Sequence, residues 1–495
     1  EQAGAADATP AKQIGMETWA FMPRELLKNI STLRSTDPIP DVHPYGVDGQ
    51  AVAFVIDNDK DGSIEHRSTA CDDTSGTDVG AADCDKAYIY FGLRRGGKSY
   101  YALNASNPDV DPTMLWKVDN ADTDFTELGL SFSTPRTGWV KYGLSGEPTP
   151  VVIFAGGYYG GWADTDSDGI VDARVGKDDL THSGADTEGN AVYVVHARTG
   201  ELIWKVVGGA GTDSETVFHE ANMTASIPSA VTAVDSNNNG ILDTIYVGDT
   251  AGQVWRISLP EGVSTAGAGN DHRLNWSANR LASLGSTLRF FHAPDVVQAK
   301  DSAGVDVTMV LLGSGDQAHP KSEQTVANQF FALKDLGIAA DMIDMDASAT
   351  LPSPVNITDT CAINADAGCA AVNASGNVGW VLDLEQTGEK NLSSPLVIDG
   401  LVFFTTYLPN GTSAGAGVCS VDIGESLLYI VNLTNGSATF PLNSGNLIDE
   451  GAATSKLDRY KVDVEGIGSD VVAVGPDFVM TPGGDFVEAS GLSKW

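Results

Sequence analysis

The hydrophobic positions of this chain form many short runs in which apolar and polar residues alternate, and few runs with a helical period. The runs are separated by Gly, Asn and Asp, which favour turns. Alternation with a period of two is typical of strands that bury one face. Only residues 24–30, directly after Pro23, have the pattern of a helix with proline in its first turn. The pattern therefore predicts an all-β chain with a short helical lead-in.

A weak repeat recurs along the chain. In each copy an aromatic and several aliphatic residues alternate along one strand, a Gly or Asn turn reverses the chain, and Trp often lies on the return strand. The copies lie at 99–118, 191–206, 244–259, 329–335 and 426–437. One hairpin cannot bury its apolar face alone, so copies must stack, and radial stacking of small antiparallel sheets gives a β-propeller. We predict about seven blades, with eight as the alternative.

The spacing of the copies predicts the domain boundaries. Copies recur every 60 to 100 residues, which is wider than the roughly 40 to 50 residues of a plain blade, so loop insertions are expected. Residues 336–378 are expected to form one insertion. We predict an N-terminal lead-in at 1–36 and a propeller at 37–495. Trp116, Trp204 and Trp255 are expected to pack between sheets and not to bind a ligand.

Composition narrows the function. The chain has 66 acidic and 29 basic residues and a formal net charge of -37, which argues against nucleic acid as a partner and favours cations. No run of about 18 uncharged apolar residues occurs, so no transmembrane segment is expected.

Five cysteines indicate an oxidising compartment. Cys71 with Cys84 and Cys361 with Cys369 would each close a small polar loop, and no CxxC spacing occurs. Two local disulfides are predicted, with buried free thiols as the alternative. Cys419 is then either a free thiol or the partner of one of the other four.

Three segments share one nine-residue pattern: DNDKDGSIE at 57–65, DTDSDGIVD at 164–172 and DSNNNGILD at 235–243. Oxygen side chains at positions one, three and five converge as the backbone curls, and Gly at position six permits the reversal. Position seven offers its carbonyl oxygen and position nine a carboxylate, which suits the six to eight oxygens that Ca²⁺ prefers. The predicted calcium ligands are Asp57, Asp59, Asp61, Ser63 and Glu65 in the first loop, Asp164, Asp166, Asp168, Ile170 and Asp172 in the second, and Asp235, Asn237, Asn239, Ile241 and Asp243 in the third.

These loops are not EF-hands. Position twelve holds Ser68, Val175 and Tyr246 where an EF-hand has a bidentate Glu, and no helices flank the loops. The alternative is a set of Asx-rich turns without metal, since Asp, Asn and Gly are good turn formers, but three copies argue against it. Asn237 and Asn239 are neutral, which predicts weaker binding in the third loop.

Several segments resemble the C-terminal β-propeller domain of the PilY family of type IV pilus tip adhesins and biogenesis factors. They run nearly end to end: METWAFMPRELL near the start, HPYGVDG at 43–49, YFGLRRGGKSYYALN at 90–104, SIPSAVTAVDSNNNGILDTIYVGDTAGQVWRISL at 226–259, LLGSGDQAHP at 311–320, GLVFFTTYLPNG at 400–411 and CSVDIGESLLYIVNLTNG at 419–436.

The resemblance implies a protein exported through the periplasm to the cell surface, where it lies on minor pilins at the pilus tip. It implies roles in pilus biogenesis, twitching motility and adhesion to a host or abiotic surface receptor. It also implies that calcium in the third loop opposes pilus retraction. The chain is then expected to be the C-terminal part of a longer protein.

An enzyme is not expected. The segment HARTGELIWKV resembles the repeat of pyrroloquinoline quinone dehydrogenases, which supports a quinoprotein-like propeller, but the adjacent cysteines on which those enzymes stack the quinone do not occur. GTSAG at 411–415 matches a nucleophile elbow in spacing, yet Ser413 lies in a Gly-rich loop pattern. His219 and His319 are interpreted as packing or hydrogen-bonding residues. The alternatives are a quinoprotein dehydrogenase propeller and a structural surface-layer propeller.

Overall fold

Short strands make up nearly all of the regular secondary structure in the described part of the chain. The computed structural model describes residues 17, 19–35, 43–64, 71, 84–143, 146–163, 171, 173–179, 181–262, 271–300, 304–337, 343–345, 351–360, 369, 372, 376–409, 423–438, 459–474, 478–480 and 486–488. For residues 459–465, 474, 478–480 and 486–488 it describes the backbone only.

Helical structure is brief. A 3-10 turn at Arg24–Leu26 and helix α1 at Asn29–Arg34 lie in the lead-in, where the pattern after Pro23 predicted a helix. Two further 3-10 turns are formed by Gly176–Asp178 and His272–Asn275.

The described residues up to 283, with one short strand from further along the chain, form three sheets and one small hairpin. The first sheet contains β1 (Val52–Ile56), β2 (Lys86–Gly92), β3 (Ser99–Asn104) and β4 (Thr113–Asp119). The second contains β5 (Arg136–Lys141), β6 (Pro148–Ala155), β9 (Ala191–His196), β10 (Leu202–Gly208) and β11 (Val217–Glu220), and the hairpin β7 (Trp162–Ala163) with β8 (Ala173–Arg174) lies between β6 and β9 in the sequence. The third contains β12 (Thr232–Val234), β13 (Thr244–Gly248), β14 (Gln253–Ser258), β15 (Ser277–Ser283) and β19 (Ile343–Asp344).

The second half continues the same plan. The fourth sheet contains β16 (Asp295–Lys300), β17 (Asp306–Gly313), β18 (Gln329–Asp335), β20 (Val355–Asn356) and β21 (Gly379–Asp383). The fifth contains β22 (Lys390–Asn391), β23 (Leu396–Ile398), β24 (Leu401–Leu408), β25 (Glu425–Asn432) and β26 (Arg459–Glu465), and the sixth contains β27 (Val472–Val474), β28 (Phe478–Met480) and β29 (Phe486–Glu488). The segment expected to be an insertion contributes β19 to the third sheet and β20 to the fourth, and both pair in parallel at a sheet edge.

The sheets surround one polar cavity of about 620 Å³. Each of the six sheets contributes to its lining a residue that lies two positions before one of its strands. These residues are Gln50, Thr134, Ala230, Ala293, Ser394 and Asp470. Sheets that meet a common axis through equivalent strands are the arrangement of a β-propeller, and the predicted fold class is confirmed. The described residues form six such sheets, so about seven blades for the whole chain stays a prediction.

Apolar cores lie between successive sheets. Trp116 of the first sheet packs with the second, and Trp204 of the second packs with Trp255 of the third. All three side chains are at most 6% exposed, and burying an aromatic of this size contributes about 2–3 kcal/mol. Between the fourth and fifth sheets, Phe330 stacks on Phe404 with ring centroids 3.8 Å apart. The expectation that these tryptophans hold sheets together is confirmed.

A largely buried ion network joins residues from connections of the first, second and fourth sheets and from the link between the third and fourth. His319 contacts Asp178 at 3.2 Å and Asp316 at 3.1 Å, while Arg95 contacts Asp178 and Arg289 contacts Asp316. Hydrogen bonds with Asp178 and Asp316 raise the pKa of His319 to about 9. Burial acts to raise the pKa of Asp178, but the hydrogen bond with His319 and the charge of Arg95 lower it to about 2. His319 is therefore a hydrogen-bonding residue, as the sequence predicted.

Candidate functional site

The first candidate loop begins directly after β1 and lies in the connection from β1 to β2. The carboxylate of Asp57 accepts hydrogen bonds from the backbone N–H of Lys60 at 2.6 Å and of Gly62 at 2.9 Å. Asp59 accepts from the N–H of Asp61, and Asp61 from the N–H of Ser63. Gly62 has a φ of +83°, which is the conformation that favours glycine. The loop therefore curls around its own carboxylates.

Oxygen atoms in this loop lie close enough to share one cation. One ligand atom from each of Asp57, Asp59 and Asp61 lies within 4.8 Å of the other two. The hydrogen bond from the Gly62 N–H contributes most to lowering the pKa of Asp57. The Asp61 N–H acts to lower the pKa of Asp59, but desolvation and the charges of Asp61 and Asp57 outweigh it and raise that pKa. The carboxylates thus repel one another, and a cation between them relieves that repulsion.

The third loop has the same backbone plan. It begins directly after β12 and ends at β13, so it is the tip of a hairpin. The carboxylate of Asp235 accepts from the N–H of Asn239 at 3.1 Å and of Gly240 at 2.6 Å. Asn239 Oδ1 accepts from the N–H of Ile241 at 2.9 Å. Gly240 has a φ of +88°, so positions one and six have the same roles in both loops.

Position nine closes the third loop. Asp243 Oδ2 accepts from the backbone N–H of Ser236 at 2.9 Å and from its hydroxyl at 2.7 Å, and Oδ1 accepts from Thr244. The equivalent residue of the first loop, Glu65, lies outside the described residues, as do the five predicted ligands of the second loop, Asp164, Asp166, Asp168, Ile170 and Asp172.

The donor sets of the two described loops fit a hard cation. The first consists of carboxylate and carbonyl oxygens, the third of carboxylate, amide and carbonyl oxygens, and neither contains sulfur or imidazole. Ca²⁺ prefers six to eight such oxygen ligands, and two or three waters would complete this number. Calcium as the cation stays a prediction.

The surroundings of the loops differ. The first loop is tied to its own sheet: the Asn58 N–H donates to Asp85 at 2.8 Å and the Asn58 amide to the carbonyl of Cys84. Cys84 forms a disulfide with Cys71, with an S–S distance of 2.04 Å, which confirms that predicted pair. The Cys361–Cys369 pair stays a prediction, because Cys361 lies outside the described residues.

The third loop is tied to the neighbouring sheet. The Leu242 N–H donates to the carbonyl of Trp139 on β5 at 2.8 Å, and the side chain of Leu242 packs against the core between the second and third sheets. The amide of Asn237 donates to Glu261 at 3.2 Å, and the amide of Asn239 donates to the same oxygen.

Glu261 was not anticipated from the sequence. It follows β14 and also accepts from Lys141 of β5 at 2.7 Å. Hydrogen bonds from Lys141 and from the amides of Asn239 and Asn237 lower the pKa of Glu261 to about 2. The motif gives no signal for this residue, because only the order of the strands brings it to the loop.

The fold and the loops define a class of protein. It is a β-propeller domain in which Asp- and Asn-rich loops between neighbouring strands present oxygen atoms. No family model matches the chain. It is 22% identical over 468 residues to a type IV pilus biogenesis factor PilY1 homolog of Xylella fastidiosa, covering 89% of this chain and 26% of that protein. It is 21% identical over 487 residues to PilY1 of Pseudomonas aeruginosa strain PAO1, covering 90% of this chain and 35% of that protein.

A solved structure agrees with these relatives. The crystal structure of the Pseudomonas aeruginosa PilY1 C-terminal domain matches with a TM-score of 0.58 and 16% identity, covering 96% of this chain and 88% of that one. Together, the matches support a PilY-family C-terminal domain. The chain spans about a quarter to a third of the length of these curated relatives, which are described as biogenesis factors and not as enzymes. Within the described residues, no helix is both long enough and apolar enough to cross a bilayer.

Proposed function

We propose that this chain is the calcium-binding propeller of a type IV pilus biogenesis factor that acts at the cell surface. The observation that carries the proposal is the similarity to PilY1 proteins over 89–90% of the chain. The domain lies at the pilus tip after export through the periplasm, contacts minor pilins, and promotes assembly. It contributes to adhesion to a host or abiotic surface, and its third loop opposes pilus retraction when it holds calcium.

The matched backbone geometry of the two described loops supports the calcium part of the proposal. In the first loop Asp57, Asp59 and Asp61 would hold the ion. In the third, Asp235 and Asp243 would hold it with the oxygens of the two Asn side chains. The ion supplies positive charge that neutralises these oxygens, and the chain's own Gly-dependent curl keeps them converged before it binds.

Thermal unfolding in calcium and in EGTA tests calcium binding. A ligand that binds only the folded chain stabilises it by about 2.7 kcal/mol when its free concentration is one hundred times Kd. We expect a higher unfolding midpoint in calcium, and an equal concentration of magnesium should give a smaller shift. An identical midpoint in calcium and EGTA would show that the loops are Asx turns without metal.

The cellular role is tested in the source bacterium. Asp243→Ala in the chromosomal gene should leave the protein exported and change surface piliation and twitching, because it removes the carboxylate that closes the third loop. Glu201→Ala, which removes a carboxylate at an exposed position directly before β10, is the matched control. Normal piliation and twitching after deletion of the whole domain would contradict the proposal.

A further inference from the structure

Glu261 contacts the two side chains that distinguish the third loop from the first. Positions three and five are Asp59 and Asp61 in the first loop, and Asn237 and Asn239 in the third. One carboxylate oxygen of Glu261, Oε1, accepts from the amide nitrogens of both asparagines. The other, Oε2, accepts from Lys141 Nζ at 2.7 Å. Both oxygens of Glu261 are therefore engaged by donors.

These contacts determine which end of each amide faces the loop. An ionised carboxylate only accepts hydrogen bonds, so it selects the NH₂ end of an Asn side chain. The carbonyl oxygen of each amide then lies on the opposite side of the group. For Asn239 this orientation is visible, because its Oδ1 accepts from the N–H of Ile241 within the loop. Without such a partner, an Asn amide can rotate and offer its nitrogen, which is no ligand for a hard cation.

We propose that Glu261 is a positioning residue for the third loop: it orients Asn237 and Asn239 so that both amide oxygens are available to Ca²⁺, and it supplies nearby the negative charge that these neutral side chains lack. This inference rests on the proposed calcium binding of the domain. Carboxylates that hydrogen-bond metal ligands and orient them affect metal affinity strongly. Their loss typically lowers the affinity 10- to 100-fold.

The position of Glu261 suits this role better than that of a ligand. Its side chain is 21% exposed, and its two oxygens hold three donors, one of which comes from the second sheet. A cation bound at Oε2 would lie beside the Lys141 ammonium, and one bound at Oε1 would compete with both amides. Glu261 therefore acts through the asparagines.

Isothermal titration with calcium tests the inference. Asp57→Ala and Asp164→Ala together silence the first and second loops, so the remaining heat reports the third. In that background, Glu261→Ala should weaken binding about 10- to 100-fold, and Glu261→Gln should weaken it less, since Gln keeps one acceptor oxygen. Glu201→Gln makes the same change of charge on an exposed surface and should leave the affinity unchanged.

A second measurement separates positioning from simple folding effects. Asn239→Asp adds a carboxylate, which normally strengthens a calcium loop. Beside Glu261 it should fail to do so, because two carboxylates then meet where an amide donated. Beside Glu261→Gln it should strengthen binding, because Gln can donate to the new carboxylate. A merely structural role for Glu261 does not make the Asn239→Asp effect depend on whether residue 261 is Glu or Gln.

The outcomes are distinguishable. Absence of calcium heat in the unsubstituted domain overturns the proposed calcium binding itself. If the unsubstituted domain binds calcium and neither Glu261→Ala nor Glu261→Gln weakens binding at the third loop, the role of Glu261 alone is overturned. An Asn239→Asp effect that is the same in both backgrounds also overturns it, and circular dichroism in EGTA verifies that each variant is folded.

Discussion

The first and third loops carry the same nine-residue pattern, yet they are anchored in different ways. At position eight, Ile64 of the first loop is 47% exposed, whereas Leu242 of the third packs into the core between two sheets. At position seven, Ser63 is exposed and Ile241 is 5% exposed. The first loop is held within its own sheet by Asn58, and the third is held against β5 of the neighbouring sheet.

This difference in anchoring shows that loops with the same ligand pattern need not affect the surrounding structure in the same way when they bind a cation. A cation in the first loop would mainly relieve repulsion among carboxylates of one connection. A cation in the third would stiffen a hairpin tip that contacts Trp139 and, through Glu261, Lys141 of the second sheet. Of the two described loops, the third alone would therefore transmit its occupancy to the interface between the second and third sheets.

The largest expected effect concerns the disulfide beside the first loop. Replacing both Cys71 and Cys84 by Ser should lower the free energy of unfolding by about 3 kcal/mol, the value for a closed loop of about 15 residues. Urea unfolding measures this loss. Calcium affinity should fall at the first loop and stay unchanged at the third, and an equal fall at both would contradict their separate anchoring.

An intermediate effect is expected at position eight. Leu242→Ala should destabilise the calcium-free domain by about 2 kcal/mol, because it removes side-chain packing at the seam between sheets. Its counterpart Ile64→Ala should stay within about 0.5 kcal/mol, as exposed substitutions usually do. Unfolding of both variants in EGTA compares them directly, and similar losses would show that the two loops are anchored alike.

The smallest effect is expected at position three, again in EGTA. Asp59→Asn should slightly raise the unfolding midpoint, because it removes one of three neighbouring carboxylates while keeping an oxygen for the Asp61 N–H. Asn237→Asp should lower the stability by up to about 1 kcal/mol, because it places a carboxylate against Glu261. Differential scanning calorimetry measures both unfolding midpoints. Midpoint shifts of the same sign in the two variants would be evidence against a difference in charge environment between the two loops.

The local part of the site could be predicted from the sequence. The hydrogen bonds from the Gly240 N–H to Asp235 and from the Gly62 N–H to Asp57 each lie within one curl, so the pattern of nine residues determines them. The disulfide between Cys71 and Cys84 was predictable for the same reason. Strand β4 followed from alternation, since one buried face requires a period of two, whereas β3 is buried along its whole length.

The contacts of the site between distant parts of the chain depend on which strands become neighbours. Lys141 and Glu261 meet because β5 lies beside the third sheet, and no spacing in the sequence encodes that contact. His319 similarly meets Asp178 only after three sheets surround the axis. Residues beyond a hairpin contribute through tertiary packing, which single-sequence patterns do not resolve.

The six equivalent positions at the axial cavity have mostly small side chains, and this has a consequence for solvent. Larger side chains such as Arg94 and Phe132 also line the cavity, yet about 620 Å³ of polar space is left there, which is room for several waters. The apolar cores lie between sheets and not at the axis. Larger polar side chains at Thr134 or Ser394 would therefore extend into this polar space and not into the cores.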